Sequence, residues 1–555
     1  MNKKVCSFPI LFALLALLIG TCAVVFPASA QAAPTSTGSI TVSGTVASSY
    51  DAYQIFSANV VDGDSDAKIA TDLAWASDAV RDAVLPVLHN AGMPNSQTTA
   101  QEAAECLNTD SHLTSALSAQ LARSLQSSGA VFVALNAGTT AELPCGYWLI
   151  VADDDAIAQG EAGTAPIMAL VGGSAVTVKP KAATPKVAKH VLEDGTAAWQ
   201  KAADATVADD LYWRLSATVP AGLAAYDTYT VRFVDTMSAG LDPSKVAASM
   251  RVYVAAGADG GFDAVPTGKD GRTGTEPAKG WTDITAQCAT KVAADGTFTV
   301  RTGDLIAALG GADAFTAGAR VVAVYNAPLN SACSHGIAKG NSNEVYLRYP
   351  RSPFADQSGD AGFTRTPSDD ACAYTWDLAL TKRGSDGDKP LAGAVLSIAD
   401  DRGRTLAADG TWDAEGKATV TTGEDGRVTV SGVDSGKLEV RELKAPKGYT
   451  AFKGTRSVTV KAEGLDVDQV AAAKPKLTIT TESPLRADSA DGSTGSLEAS
   501  LINTPTGTPP SITTGGFMPS TGDMAMYAAA AAAAAGAALI VVALLVKRGG
   551  GSHKE

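Results

Sequence analysis

Apolar residues alternate with polar ones in short runs along most of this 555-residue chain, the period of strands that bury one face. The run Gly38 to Val46 sets the pattern, and Tyr50 to Val61 continues it. The spacing then changes. Ala67 to His89 and Thr99 to Ser127 carry Ala and Leu three and four apart, which predicts two helices. Ala130 to Leu135 and Tyr147 to Val151 return to strand. Residues 37–181 therefore read as a β-sandwich with a helical insertion. The stretch Lys179 to Lys186 closes it, because Pro180 and Pro185 cannot sit inside a central strand.

The next residues, 182–352, hold short β runs at Leu211 to Val219, Tyr229 to Asp235, Met250 to Val254 and Val321 to Tyr325, separated by Gly, Asp and Pro. That spacing suits an all-β sandwich. Residues 353–372, rich in Asp, Ser and Pro, read as a linker. Residues 373–506 are again short strands, with turns at Gly384 to Asp388 and Gly423 to Gly426. Residues 507–517 read as a flexible spacer. The expected fold class is mainly β: tandem immunoglobulin-like sandwiches, the first with helices, followed by a C-terminal transmembrane helix.

The two ends break the alternation. Lys3 and Lys4 precede the apolar run Phe8 to Phe26, and Ala28-Ser29-Ala30 supplies a small-x-small cleavage site, so residues 1–30 read as a secretory signal peptide. At the other end the apolar segment 523–546 is long enough to span a bilayer. Lys547 and Arg548 then hold the tail 547–555 on the cytoplasmic side. Exported chains meet an oxidising space, where Cys106, Cys145, Cys288, Cys333 and Cys372 are disulfide candidates. Pairing within domains suggests Cys106 with Cys145 and Cys288 with Cys333; Cys333 with Cys372 is the alternative.

Charge excludes one class of partner. Asp and Glu number 58 against 44 Lys and Arg, a net charge of −14, and no basic stripe runs along the sequence, so nucleic acid is not an expected partner. His89, His112, His190 and His335 stand alone, which suggests neither a zinc site nor a His-based catalytic centre. Asp62 to Asp66 begins like a calcium loop, but Ala67 stands where Gly is needed and Leu73 where a bidentate Glu belongs. No metal, no cofactor and no turnover enzyme are expected.

Just before the apolar segment stands Met518-Pro519-Ser520-Thr521-Gly522. It resembles the Leu-Pro-x-Thr-Gly sorting signal of Gram-positive surface proteins, with Met518 in place of Leu. That resemblance implies cleavage by a sortase between Thr521 and Gly522, and transfer of the Thr521 carbonyl to an amine. The implied partners are sortase and peptidoglycan, with the membrane needed only before sorting.

Glu439 to Tyr449, with Glu442-Leu443-Lys444-Ala445-Pro446-Lys447-Gly448-Tyr449 at its core, resembles the E-box of Gram-positive pilins. With Leu378 to Lys382 as first strand and Leu501 to Pro505 as last, residues 373–506 resemble a CnaB-type domain. The resemblance implies a self-formed isopeptide bond between Lys382 and Asn503, with Glu442 as the catalytic carboxyl. The chemistry is reasonable. A Lys amine is protonated in water, with a pKa of about 10.4, but burial disfavours the charged form of both Lys and Glu. A neutral Lys382 could then attack the Asn503 carboxamide while a protonated Glu442 polarises its carbonyl.

Residues 182–352 are similar to the fimbrial D2 isopeptide domain, a CnaA-like sandwich. The likeness rests on Pro185 to Lys189, Tyr229 to Leu241 and Gly340 to Leu347. It implies a Lys189 to Asn343 bond with Asp235 as the carboxyl; Lys186 and Asn341 are the nearby alternatives. Val176-Thr177-Val178-Lys179-Pro180-Lys181 partly matches the pilin motif, which makes Lys181 the expected acceptor of Thr521 from another copy, with Lys179 and Lys186 as alternatives. Together these features imply the backbone subunit of a sortase-assembled pilus, covalently polymerised with copies of itself. The competing expectation is a non-polymerising adhesin or ancillary pilin that binds a host ligand.

Overall fold

The computed structural model describes residues 36–64, 67–108, 113–180, 184–220, 223–257, 280–338 and 340–507. The expected signal peptide, Lys181, the sorting motif 518–522, the apolar segment 523–546 and the tail lie outside the described residues, as does most of the spacer. Among the described residues no helix is long and apolar enough to cross a membrane.

The chain is mainly β, in three tandem sandwiches. In the first, Thr37–Val42 lies between Thr140–Pro144 and Val176–Val178, and Ser49–Asp62 centres a second sheet with Lys68–Trp75, Val133–Asn136, Gly146–Ala152 and Ile167–Val171. The long strand Ser49–Asp62 buries both faces. Tyr50 and Ala52 face the other sheet, while Ile55 and Phe56 face the helices, and an irregularity in register between Gln54 and Phe56 separates the two patterns.

The helical insertion is smaller than the spacing predicts. Lys68–Trp75 is a strand paired with Ser49–Asp62, and the helix Asp78–Asn90 begins only where Ser77 Oγ accepts from the Val80 amide, an N-cap. The second predicted helix is two. Thr99 and Glu102 form a capping box on Ala100–Leu107, and Thr114 caps Ser115–Ser128, which ends at Gly129 with φ 71°.

In the second domain Val187–Glu193, Tyr212–Thr218, Arg320–Asn326 and Arg251–Ala255 lie side by side in one sheet. The facing sheet runs through Asp369–Tyr374, Asn341–Pro350, Arg232–Met237 and Thr297–Arg301. Residues 353–372 are therefore not a linker. Phe363–Arg365 and Asp369–Tyr374 both pair with Asn341–Pro350, and the chain passes from Tyr374 to Trp376–Gly384, the first strand of the third domain, with one residue between. That junction is tied down. The Trp376 indole donates to Asp204 Oδ2 at 2.6 Å, the Ser435 amide donates to the same oxygen at 2.7 Å, and Arg402 and Arg404 both pair with Asp209.

The third domain stacks a sheet containing Trp376–Gly384 and Ser496–Pro505, which pair in parallel, on a sheet containing Val395–Ala399, Gly436–Lys444 and Thr455–Glu463. Leu378, Leu380, Ile398, Val440, Val458 and Leu497 fill the space between them.

The expected disulfides are not formed; Cys145, Cys288, Cys333 and Cys372 are thiols. Cys288 precedes the strand whose Ala289 pairs with Arg301, itself opposite Arg232. Cys333 lies past the other end of Arg232–Met237, beside Gly240, so the length of that strand separates the two. Cys145, expected to pair with Cys106, is buried with its sulfur against Gly172.

Candidate functional site

Strand alternation puts Leu378, Leu380 and Lys382 on the core face of Trp376–Gly384, so a lysine ends a row of leucines. Its backbone is held by the turn at Gly426. The Lys382 amide donates to Gly426 O, and Lys382 O accepts from the Leu391 amide, both at 2.8 Å. Gly426 has φ 74°, and a Cβ there would lie 2.8 Å from Lys382 O, so only glycine fits. The parallel pairing sets Lys382 beside Leu501 and Gly384 beside Asn503, which brings the lysine and asparagine side chains to one face. Glu442 reaches them from the facing sheet.

All three are buried: Lys382 is 1% exposed, Asn503 2% and Glu442 6%. Lys382 Nζ donates to Leu501 O at 3.1 Å and lies 3.6 Å from Glu442 Oε1. Asn503 Nδ2 donates to the same Oε1 at 2.8 Å, and the Phe452 amide donates to Oε2 at 3.0 Å. Burial lowers the Lys382 amine to about 8, although Glu442 pulls it the other way. Asn503 Oδ1 has no hydrogen-bond partner. The geometry thus differs from the simple expectation of a carboxyl donating to the carbonyl: Glu442 Oε1 stands between the amine and the amide nitrogen.

In the second domain the arrangement is different. Lys189 comes from one sheet, while Asp235 and Asn343 come from the facing one, where Asp235 pairs with Val345 and Met237 with Asn343. Each of the three is fully buried. Lys189 Nζ donates to Asp235 Oδ2 and, at 2.9 Å, to the Tyr325 hydroxyl. That hydroxyl donates to Asp235 Oδ2 at 3.2 Å and accepts from Asn343 Nδ2 at 2.8 Å. The Trp213 ring closes over the amine at 5.6 Å. Burial lowers Lys189 to about 8 and raises Asp235 to about 6, each opposed by the other's charge. Asp235 Oδ1 and Asn343 Oδ1 are left without partners, which is costly in a dry core.

The nearby alternatives do different work. Lys186 is exposed. Asn341 is buried but occupied: its Oδ1 accepts from the Ser334 amide, and its Nδ2 donates to Ser334 O and Ala373 O. Tyr325 escaped the sequence reading. The alternation Val321, Ala323, Tyr325 along Arg320–Asn326 puts its hydroxyl in the core, and a phenol ending an inward-facing row was the available signal. Of the pilin-motif residues, Val176–Val178 pairs in parallel with Ile40–Val42, leaving Lys179 exposed at the edge of the first domain.

Residues 377–474 match the family described as SpaA, prealbumin-like fold domain. The chain is 29% identical over 143 residues to the trypsin-resistant surface T6 protein of Streptococcus pyogenes serotype M6, a match covering 24% of each. The match thus spans about a quarter of the length of that curated relative. Among solved structures, the T6 backbone pilin of serotype M6 Streptococcus pyogenes aligns at TM-score 0.45 and 16% identity, covering 85% of this chain and 98% of that one. The full-length major pilin SpaD from Corynebacterium diphtheriae aligns at TM-score 0.40 and 16% identity, over 86% and 100%. Superpositions at this level decide nothing by themselves. What the sequence comparisons add is local: residues 377–474 match a SpaA-type prealbumin-like domain, and about a quarter of the chain is similar to a streptococcal surface protein.

Proposed function

We propose that this chain is the structural backbone subunit of a sortase-assembled pilus on the Gram-positive cell wall, its second and third domains locked by self-formed Lys–Asn bonds. The observation that carries this is the pair of buried lysine, carboxyl and asparagine sets. Burying a charged lysine is costly even beside a carboxylate, and each of these lysines shares a partner with a buried asparagine: Glu442 Oε1 for Lys382 and Asn503, the Tyr325 hydroxyl for Lys189 and Asn343. Condensation removes the problem. Lys Nζ attacks Asn Cγ, the Nζ–Cγ bond forms as the Cγ–Nδ2 bond breaks, and the amine's proton travels to Nδ2, which leaves as ammonia. In the third domain Glu442 Oε1, in contact with both nitrogens, carries that proton. In the second, Asp235 and the Tyr325 hydroxyl carry it between them.

Each bond lowers the mass by one ammonia, about 17 Da, so residues 31–517 are expected about 34 Da below their sequence mass. Asp235→Ala should restore one half of the deficit. An intact mass equal to the sequence mass would remove the crosslinks and with them this reading.

Tyr325→Phe tests the relay. It removes the hydroxyl between Asn343 and Asp235 while keeping the ring against Phe298, so the second-domain bond should form slowly rather than not at all. The reactive state holds one proton on the Lys189–Asp235 pair. Below the Asp235 value of about 6 both groups are protonated; above the Lys189 value of about 8 neither is. The rate, followed by intact mass after refolding, should therefore fall on both sides of that window. Wild-type speed in Tyr325→Phe would exclude the hydroxyl from the transfer.

A further inference from the structure

The second domain carries a cationic row that no stretch of sequence contains. Arg301 pairs with Arg232, Arg232 with Arg348 and Arg348 with Arg365, on four adjacent strands. Their neighbours Phe233, Val300 and Leu347 are buried, so the arginines occupy the outer face. At a strand spacing of about 4.8 Å the row is about 14 Å long. Lys291 extends the charge one row further, beside Thr299.

Like charges directly opposite one another weaken a sheet, and the offset here is partial: Arg232 is satisfied by Asp360, Gly359 O and the Phe363 ring at 4.1 Å, whereas Arg301 and Arg365 make no ion pair among the described residues. Among the described residues, the row's ion pairs go to one carboxylate, Asp360, which Arg232 and Arg348 share. Arg232 and Arg301 also donate to the carbonyl of Gln357. Arg301 and Arg365 are exposed, and Arg365 lies over the Tyr346 ring at 5.2 Å. Two surface concavities adjoin the row and share Arg348 and Asp360. All this sits on a chain of net charge −14.

We infer that the arginine row is a binding site for a sulfated polysaccharide. The guanidinium fork matches a sulfate through paired N–H donors, and a linear array of forks fits a linear chain with repeated sulfates. Duplex nucleic acid is a poor fit. It needs a longer cationic footprint than this row supplies. One of the two concavities is also lined by Ile157 and Gln159, so the row adjoins the first domain. This goes beyond a purely structural subunit.

The test uses residues 31–517, which contain every described element, on immobilised heparin in about 0.15 M salt, near one Debye length of 8 Å. Wild type should be retained and released by rising salt. Arg301→Ala with Arg365→Ala removes the two exposed arginines that make no ion pair among the described residues, and should weaken binding roughly tenfold or more without moving the melting temperature. The matching pair of Lys substitutions, which keeps charge but loses the fork, should bind more weakly than wild type and more tightly than the Ala pair. Failure of wild type to bind, equal binding by the Ala pair, or equally tight binding to a DNA duplex would each overturn the site.

Discussion

Glu442→Ala is expected to raise the intact mass by the one ammonia retained, after allowing for the side chain, and to make the third domain melt earlier and yield to trypsin. The Lys382 to Asn503 bond would close nearly the whole third domain into one loop. The chain-entropy treatment of a crosslink over a loop of that size suggests on the order of 4 to 5 kcal/mol. A second effect adds to it: without Glu442, Lys382 keeps its burial and loses its carboxylate partner. Asn503→Ala separates the two, because it prevents the bond while leaving the ion pair. If Asn503→Ala lacks the bond by mass and still resists trypsin as wild type does, the bond is not what protects the domain.

The ladder of covalent polymer extracted from the wall is expected to vanish in Lys181→Ala, with monomer still attached. Wall attachment would use Thr521 but not Lys181, whereas Thr521→Ala should lose both ladder and attachment. Pro180 precedes this proposed acceptor, and a proline cannot donate to a ladder of strands. A ladder surviving in Lys181→Ala would move the acceptor to Lys179 or Lys186, both exposed. Absence of a ladder from wild type in its own host would favour the adhesin.

Both proposed sets were named from the sequence through the resemblance to pilin domains, and the alternation of the strands accounts for why their members turn inward. Lys382 follows Leu378 and Leu380, and Asn503 follows Ala499 and Leu501. The period of two leaves such a residue nowhere to point but the core. The same local logic failed at residues 353–372. Their Asp, Ser and Pro content suggested a linker, yet Asn341–Pro350 offered an edge with which Phe363–Arg365 and Asp369–Tyr374 pair. It failed again at Ala67, where apolar spacing suited a helix but the long strand Ser49–Asp62 recruited Lys68–Trp75 as its neighbour.

By itself, then, the sequence determined the β class and the order of the three sandwiches, since these follow from periodicity and chain order, while the lysine, carboxyl and asparagine sets were what the family resemblance implied. Tertiary structure alone decided what depends on register and on the approach of distant strands. It separated Cys288 from Cys333, brought the Tyr325 hydroxyl between Asp235 and Asn343, and aligned Arg232, Arg301, Arg348 and Arg365 in one row. A one-residue slip in any of those pairings would turn the side chains of a strand to its other face, so local sequence could not have announced them.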